Sequence, residues 1–451
     1  MVMVWHNQPD LSTPVDADHL NQYSADLAAS ASAADASATA AAASAALAAA
    51  PTDAAMAAAV GNPASATATV LSSTYGPKVP AYAAPRLGTY DVAKCLYNWH
   101  PGNTRKWRNA LAAARAGTGV ARLNCYGDSI TQGSTSTPAP LWANSWPTRL
   151  RTKFDTVYGA AGTGVMYLTP DGDDTRAVFN PNGGQAWDVY MGFAAYDTWG
   201  VYSPTFTAGA WFEVGPVTCD SFTIHTFGTV GAGPLVVSID GGATTNYPNT
   251  RTPNGPLAIV VPAGSLGAHT IRVTIGASGF IIVQGVEATI GTAGVRVTRW
   301  GKSSATAAWL VNGSQGVGSD PVTGSLPFSF DLFPPDLSII SFGMNEFLQH
   351  IPVATYKTNM QTIITKAKTF GDVLLGVPVP NDDTTGTPLQ GAYAAALYDL
   401  ADTNDVALLD LSDRMVSFAA SAALMNWPTH PNATGYWDMA EATYQAIGTA
   451  I

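Results

Sequence analysis

Three features of the sequence predict an α/β fold: a parallel sheet with helices on both faces, interrupted by an inserted antiparallel β-sandwich and preceded by an Ala-rich helical segment. Apolar runs without alternation, LSIISFG, VLLGVPV and VALLDL, recur in the last third of the chain and are separated by stretches with helical spacing. Strands buried on both faces read this way, so these runs are expected to be parallel strands joined by crossover helices. Across residues 166–298 the rhythm changes to short β-rich runs separated by Gly, Pro and Asp turns, which is the pattern of antiparallel strands. Residues 24–60 are almost entirely Ala, Ser, Thr and Asp, competent for helix but with few large side chains to bury.

The elements follow in order. Residues 1–60 read as an attachment region and Ala-rich helical stalk, and residues 61–165 as the first part of the α/β domain. Within 94–119 a helix is expected with Trp107, Leu111 and Ala114 on one face. It leads into a short apolar strand ending at Gly127, and a second helix follows over 146–154. The insertion, residues 166–298, holds the runs DSFTIHTFGTV, PLVVSIDGG, LAIVVPAG, HTIRVTIG and FIIVQGVEATI, with Asp240 and Gly241 as a hairpin signal. Residues 299–451 resume the first pattern, with helices over 303–312, 352–370, 388–403 and 434–449. The helix over 352–370 carries a stripe of Tyr356, Met360, Ile363, Ile364 and Ala367.

Composition narrows the function. A net charge of -11 and no basic run argue against a nucleic-acid partner. Only 12% of the 451 residues are charged while Gly, Ser, Thr and Asn keep the surface polar, as suits a protein working outside a cell. Cys95, Cys125 and Cys219 are odd in number and widely spaced, so neither a disulfide framework nor a metal site is expected, and the three thiols read as buried small residues. The amino terminus lacks the pattern of a secretory signal, and no run is long and apolar enough to insert into a membrane. No nucleotide loop appears, so no cofactor is expected.

Chemistry-bearing residues collect at four places. NCYGDSITQGS puts Ser129 just past a strand end, RWGKSSAT centres on Gly301, SFGMNEF on Asn345, and NWPTHPNATGYWDMA sets His430 before a carboxy-terminal helix. The carboxyl ends of parallel strands are where α/β proteins bind ligands. Each residue also has a structural reading: Asp128 and Ser129 as a helix cap, Gly301 as a turn, Asn345 as a cap, and His430 as an ordinary turn histidine like His100 in NWHPGN.

In this order the four segments resemble the signature blocks of the SGNH (GDSL-type) hydrolase family, over residues 119–165 and 299–451. The resemblance implies a flavodoxin-like sheet and ester hydrolysis, with Ser129 as nucleophile and His430 as its base. It further implies an oxyanion hole from the Ser129 and Gly301 amides and the Asn345 side chain, with Asp128 in support. Three departures stand out. Trp427 occupies the place of the family's aspartate, Glu346 replaces an aspartate after Asn345, and Ser303 and Ser304 stand where a further glycine is common. With no aspartate, a backbone carbonyl or Asn426 is expected to hold the second nitrogen of His430.

A second resemblance is at the amino terminus, where VWHNQPDLSTPVDADHLNQY and GNPASATATVLSSTYGPK are similar to segments of bacteriophage tail-fibre and minor tail proteins. It implies a virion protein attached to other tail proteins through this end, acting at the host surface. Packing of the small-residue stalk adds the expectation of a homotrimer, with a two-stranded association as the alternative. The substrate implied is an acylated bacterial envelope glycan, with Trp187, Trp199 and Trp427 as candidate sugar contacts beside Tyr190 and Tyr196. The alternative is a receptor-binding tail protein that keeps the hydrolase fold only as a scaffold.

Overall fold

Val120–Gly127 is a run of mostly buried residues between a helix and a turn, and it forms the strand next to one edge of a seven-stranded sheet. The computed structural model describes residues 90–448, apart from 92–93, 135–140, 167–175, 180–187, 192–198, 203–208, 229, 253–254, 277–281, 313–329, 331–332, 382–389 and 428. The Ala-rich stalk, Trp187 and Tyr196 therefore lie outside the described residues. Strands β1 (Tyr90–Asp91), β2 (Leu96–Tyr97), β3 (Val120–Gly127), β13 (Gly294–Gly301), β14 (Leu337–Ser341), β15 (Asp372–Val377) and β16 (Ala407–Asp410) form a sheet in the order β1-β2-β16-β15-β14-β3-β13. From β13 to β16 the pairing is parallel, as the unalternating runs predict. The edge pair β1 and β2 runs antiparallel, which the sequence did not signal because each has two residues.

The chain makes β3 first, then β13 on one side and β14 on the other. Strand order thus reverses beside β3, and a crevice opens at the carboxyl ends of the strands there. Helices cover both faces. Arg105–Arg115 buries Trp107, Leu111 and Ala114, and Val353–Lys368 buries Tyr356, Met360, Ile363, Ile364 and Ala367, the stripes read from the sequence. The indole of Trp107 is fully buried and donates to the Ile447 carbonyl at 3.0 Å, tying the first helix to the last, Ala433–Ile447. All three cysteines are free and buried.

The intervening region has its own core around Phe212, Phe222, Ile224, Ile271 and Val286. Its strands are β4 (Gly162–Met166), β5 (Ala177–Phe179), β6 (Asp188–Met191), β7 (Trp199–Tyr202), β8 (Trp211–Gly228), β9 (Leu235–Ile239), β10 (Thr245–Tyr247), β11 (Gly255–Ile275) and β12 (Ile282–Thr289). They pair antiparallel in the order β10-β9-β11-β8-β12-β7-β6, with β4 beside β12 and β5 beside β8. The region is hydrogen-bonded as a nine-stranded antiparallel sheet, with long bulged strands β8 and β11 at its centre. Asp240 and Gly241, with φ of 52° and 68°, form the expected tight turn after β9. Its limits differ from residues 166–298: β4 joins this sheet from Gly162, and the chain is back in the parallel sheet by Gly294.

Candidate active site

Gly127 ends β3 where a Cβ would lie 2.2 Å from Thr131 Oγ1, so only glycine lets the chain turn this tightly. Asp128 caps the short helix Ser129–Gln132, its Oδ1 accepting from the Ile130 amide at 2.9 Å. Burial raises the Asp128 pKa to about 7, with the nearby Glu346 carboxylate adding to the shift. Capping and chemistry thus divide between neighbours. Asp128 holds the turn, while Ser129, the first helical residue, presents an amide without an intrahelical acceptor.

His430 lies on β18 (His430–Pro431), paired with β17 (Met425–Trp427) in a small hairpin just before the last helix. Asn432 caps that helix, accepting from Thr434 and Gly435, and Tyr436 donates to the Ser134 carbonyl at 2.8 Å. The helix thereby pins the serine turn against the histidine hairpin. His430 Nε2 lies 2.8 Å from Ser129 Oγ, although 301 residues separate them. Its Nδ1 lies 2.9 Å from Thr429 Oγ1. Asn426, expected at this nitrogen, is exposed on β17, and the hydroxyl of Thr429 takes the role proposed for it. With the Thr429 oxygen accepting from Nδ1–H, Nε2 is left as the acceptor that faces the serine hydroxyl. Burial lowers the pKa of His430 below its usual 6.5, which favours this neutral ring. His100, in the other His-Pro turn, instead meets Asp405 at 2.8 Å.

The two remaining loops close around the serine turn. Gly301 ends β13 beside Gly127, and a Cβ on it would lie 2.1 Å from the Gln132 amide nitrogen. It is therefore a close-approach glycine wedged against the helix that carries Ser129. Arg299 strengthens this junction by donating to the Gln132 carbonyl. Ser304 adopts a left-handed φ of 62°, so the backbone keeps a path that glycine follows freely, at a cost of about 1 kcal/mol for serine.

Asn345 is the second residue of Met344–Leu348, whose cap is Gly343, so it is not the helix cap. It is 9% exposed and donates through Nδ2 to the Ala305 carbonyl at 2.8 Å. The Glu346 carboxylate accepts from the Ala307 amide at 2.5 Å, the first residue of Ala307–Asn312. The extra methylene of Glu346 therefore supplies reach. Adjacent residues Asn345 and Glu346 lock their loop to the one that follows Gly301. The side chains of Trp187, Trp199 and Trp427 lie outside what the structure describes.

Comparisons with known proteins place the chain beside ester hydrolases. Residues 282–437 match the family model of the GDSL-like Lipase/Acylhydrolase family, a span that includes Gly301, Asn345 and His430. Ser129 lies outside the span, on the far side of the insertion, and only folding brings it to His430. No curated protein matches the chain. Among solved structures, a peptidoglycan O-acetylesterase aligns with a TM-score of 0.58 at 14% identity, over 78% of this chain and 98% of its own. That coverage is more than the parallel-sheet part can supply, so the shared fold extends into the second sheet. Family two carbohydrate esterases from Clostridium thermocellum (TM-score 0.27, 12% identity, 61% of this chain and 98% of that one) and Cellvibrio japonicus (0.25, 12%, 64% and 99%) also align. Over residues 282–437 the chain is similar to the GDSL-like Lipase/Acylhydrolase family, and it shares the fold of a peptidoglycan O-acetylesterase, with its parallel sheet interrupted between its first two parallel strands by an antiparallel sheet.

Proposed function

We propose that the protein is a serine esterase that removes acyl groups, acetyl above all, from a bacterial surface polysaccharide or envelope glycoconjugate. The observation that carries this reading is the 2.8 Å approach of Ser129 Oγ to His430 Nε2. In the proposed reaction Ser129 Oγ attacks the ester carbonyl carbon as its proton passes to Nε2. The oxyanion is received by the Ser129 amide, by the Asn345 Nδ2 hydrogen not used on Ala305, and by an amide of the loop that begins at Gly301. Imidazolium then returns the proton to the departing sugar oxygen, leaving an acyl-serine. Water, deprotonated by His430, releases the carboxylic acid and restores the serine.

Thr429 replaces a carboxylate in this scheme. Its hydroxyl sets the tautomer without a full negative charge, which suits an ester, whose leaving group asks less of the base than an amide. The glycan is proposed as substrate because of the polar, weakly charged surface and the resemblance of the amino terminus to phage tail proteins. The same resemblance supports a virion-borne homotrimer attached through residues 1–60, with the enzyme delivered to the host surface.

The test is acetate release from O-acetylated envelope glycan by the purified chain and by Ser129→Ala. Acetate from the first and none from the second is expected. Hydrolysis of small chromogenic acetyl esters without release from glycan would keep the esterase and discard its substrate.

A further inference from the structure

The seam between the two sheets holds a second polar site, away from Ser129. Alternation along β3 and β13 sends Arg122, Asn124, Arg296 and Thr298 to the face that meets the antiparallel sheet. That sheet answers with Thr223, His225 and Glu287. Together with Phe333 they line a cavity of about 170 Å³, whose mouth lies at the exposed Arg122 and Ala258. This is many times the roughly 10–15 Å³ that holds one water and below the roughly 300 Å³ where drug-sized pockets begin. Arg122 precedes Gly127 by five residues, about 16 Å along the strand from the catalytic end.

The lining is built for a ligand rather than for itself. His225 is 3% exposed, and neither ring nitrogen has a hydrogen-bond partner; the nearest charge, Glu287 Oε2, is 3.5 Å from Nε2. A buried polar group left unsatisfied costs about 1–3 kcal/mol, and this ring, with nothing on Nδ1 and only the long 3.5 Å approach of Glu287 at Nε2, has capacity for an occupant. Arg296 is committed within the protein, to Glu287 Oε1 at 3.0 Å and to the Ala161 carbonyl at 3.1 and 2.8 Å. The Arg296–Glu287 pair therefore cancels, and at the mouth Arg122 stands near the Asp336 carboxylate, whose Oδ2 accepts from the Arg122 amide at 2.8 Å. Deeper in, Glu287 only accepts, while His225, Thr223 and Thr298 both donate and accept. A bare inorganic anion would satisfy Arg122 but face the Glu287 carboxylate. A ligand with one anionic group and several hydroxyls satisfies both ends, and Phe333, 4.0 Å from the His225 ring, offers an apolar face.

We propose that this cavity binds a sugar acid, one pyranose ring with its carboxylate at Arg122 and its hydroxyls at His225 and Glu287. The site does not depend on the esterase reading, since a chain with a dead nucleophile binds the same ligand. The test is an NMR titration of the full chain with sodium D-glucuronate, D-glucose, acetate and inorganic phosphate, followed through the histidine ring signals and assigned with His225→Gln. Glucuronate is expected to shift the His225 signals saturably and leave those of His430 in place. Glucose and acetate should each bind at least tenfold more weakly. Arg122→Ala, a surface change that leaves the fold intact, should weaken glucuronate at least tenfold, as loss of one charge-assisted hydrogen bond predicts. The proposal is overturned if glucuronate leaves His225 unmoved or if Arg122→Ala binds it as well as the parent does. Phosphate binding as tight as glucuronate overturns the sugar-acid assignment.

Discussion

His430 and His225 are both buried, and burial depresses the pKa of each. What separates them is what their nitrogens meet. Hydroxyls lie at 2.8 and 2.9 Å from the two nitrogens of His430, and their polarity can alternate so that one donates and the other accepts. His225 has a carboxylate at 3.5 Å and no hydrogen bond. A lowered pKa alone therefore does not mark a base. It becomes catalytic equipment when a donor of the right chemistry is aligned with the free lone pair, and otherwise leaves an unsatisfied ring waiting for a partner.

The largest effect tests that distinction directly. Ser129→Ala and His430→Ala should each lower turnover of an acetyl ester by about 10⁴-fold or more, and the double variant should be little worse than either, because the pair acts as a unit. A folded His430→Ala enzyme that kept most of its rate would erase the difference between the two histidines. Next comes the oxyanion. Asn345→Ala is expected to cost about 10²- to 10³-fold in kcat. Because its amide also holds Ala305, thermal melting should accompany the kinetics, and a loss of rate matched by unfolding would assign the residue to structure.

Thr429→Val sharpens the comparison by making His430 resemble His225 at one nitrogen. One neutral hydrogen bond is worth about 1 kcal/mol, so a five- to tenfold loss in kcat with little change in KM is expected, and Thr429→Ser should restore it. An unchanged rate in the valine variant would show that the tautomer is set elsewhere. The smallest effect is that of mild acid. Only neutral imidazole accepts the serine proton, and its pKa lies below 6.5, so more than half of the enzyme remains competent at pH 6.5. A rate at pH 6.5 within twofold of the plateau is expected, falling only at lower pH; a half-point at or above 6.5 would contradict the burial of His430.

Much of this was readable in the chain. Unalternating runs announced the parallel strands, and the stripe from Tyr356 to Ala367 named a helix face residue by residue. Four short segments named the serine, glycine, asparagine and histidine, since tight turns and helix starts constrain local sequence strongly. What escaped depends on contact between distant segments. Thr429 reads as one more threonine until a hairpin folds it onto the ring beside it. Glu346 looks like a misfit until its reach to Ala307 is seen. DSFTIHTFG reads only as a strand, because the neighbours that make His225 unusual come from four other strands. Gly301 was read as an amide donor, and that it also lets two backbones touch shows only once the chain is folded.

The serine and its base are separated by 301 residues, with the antiparallel sheet made between them. At about 5–20 residues per second, a ribosome needs roughly 15–60 s after Ser129 before it reaches the histidine. During that interval the nascent chain carries a nucleophile with no base. The sheet, whose pairings all lie between Gly162 and Thr289, can form before any hydrolysis is possible. Activity then appears in one step, when the last helix docks against Trp107 and brings the hairpin to the serine. The order of synthesis acts as a safety catch.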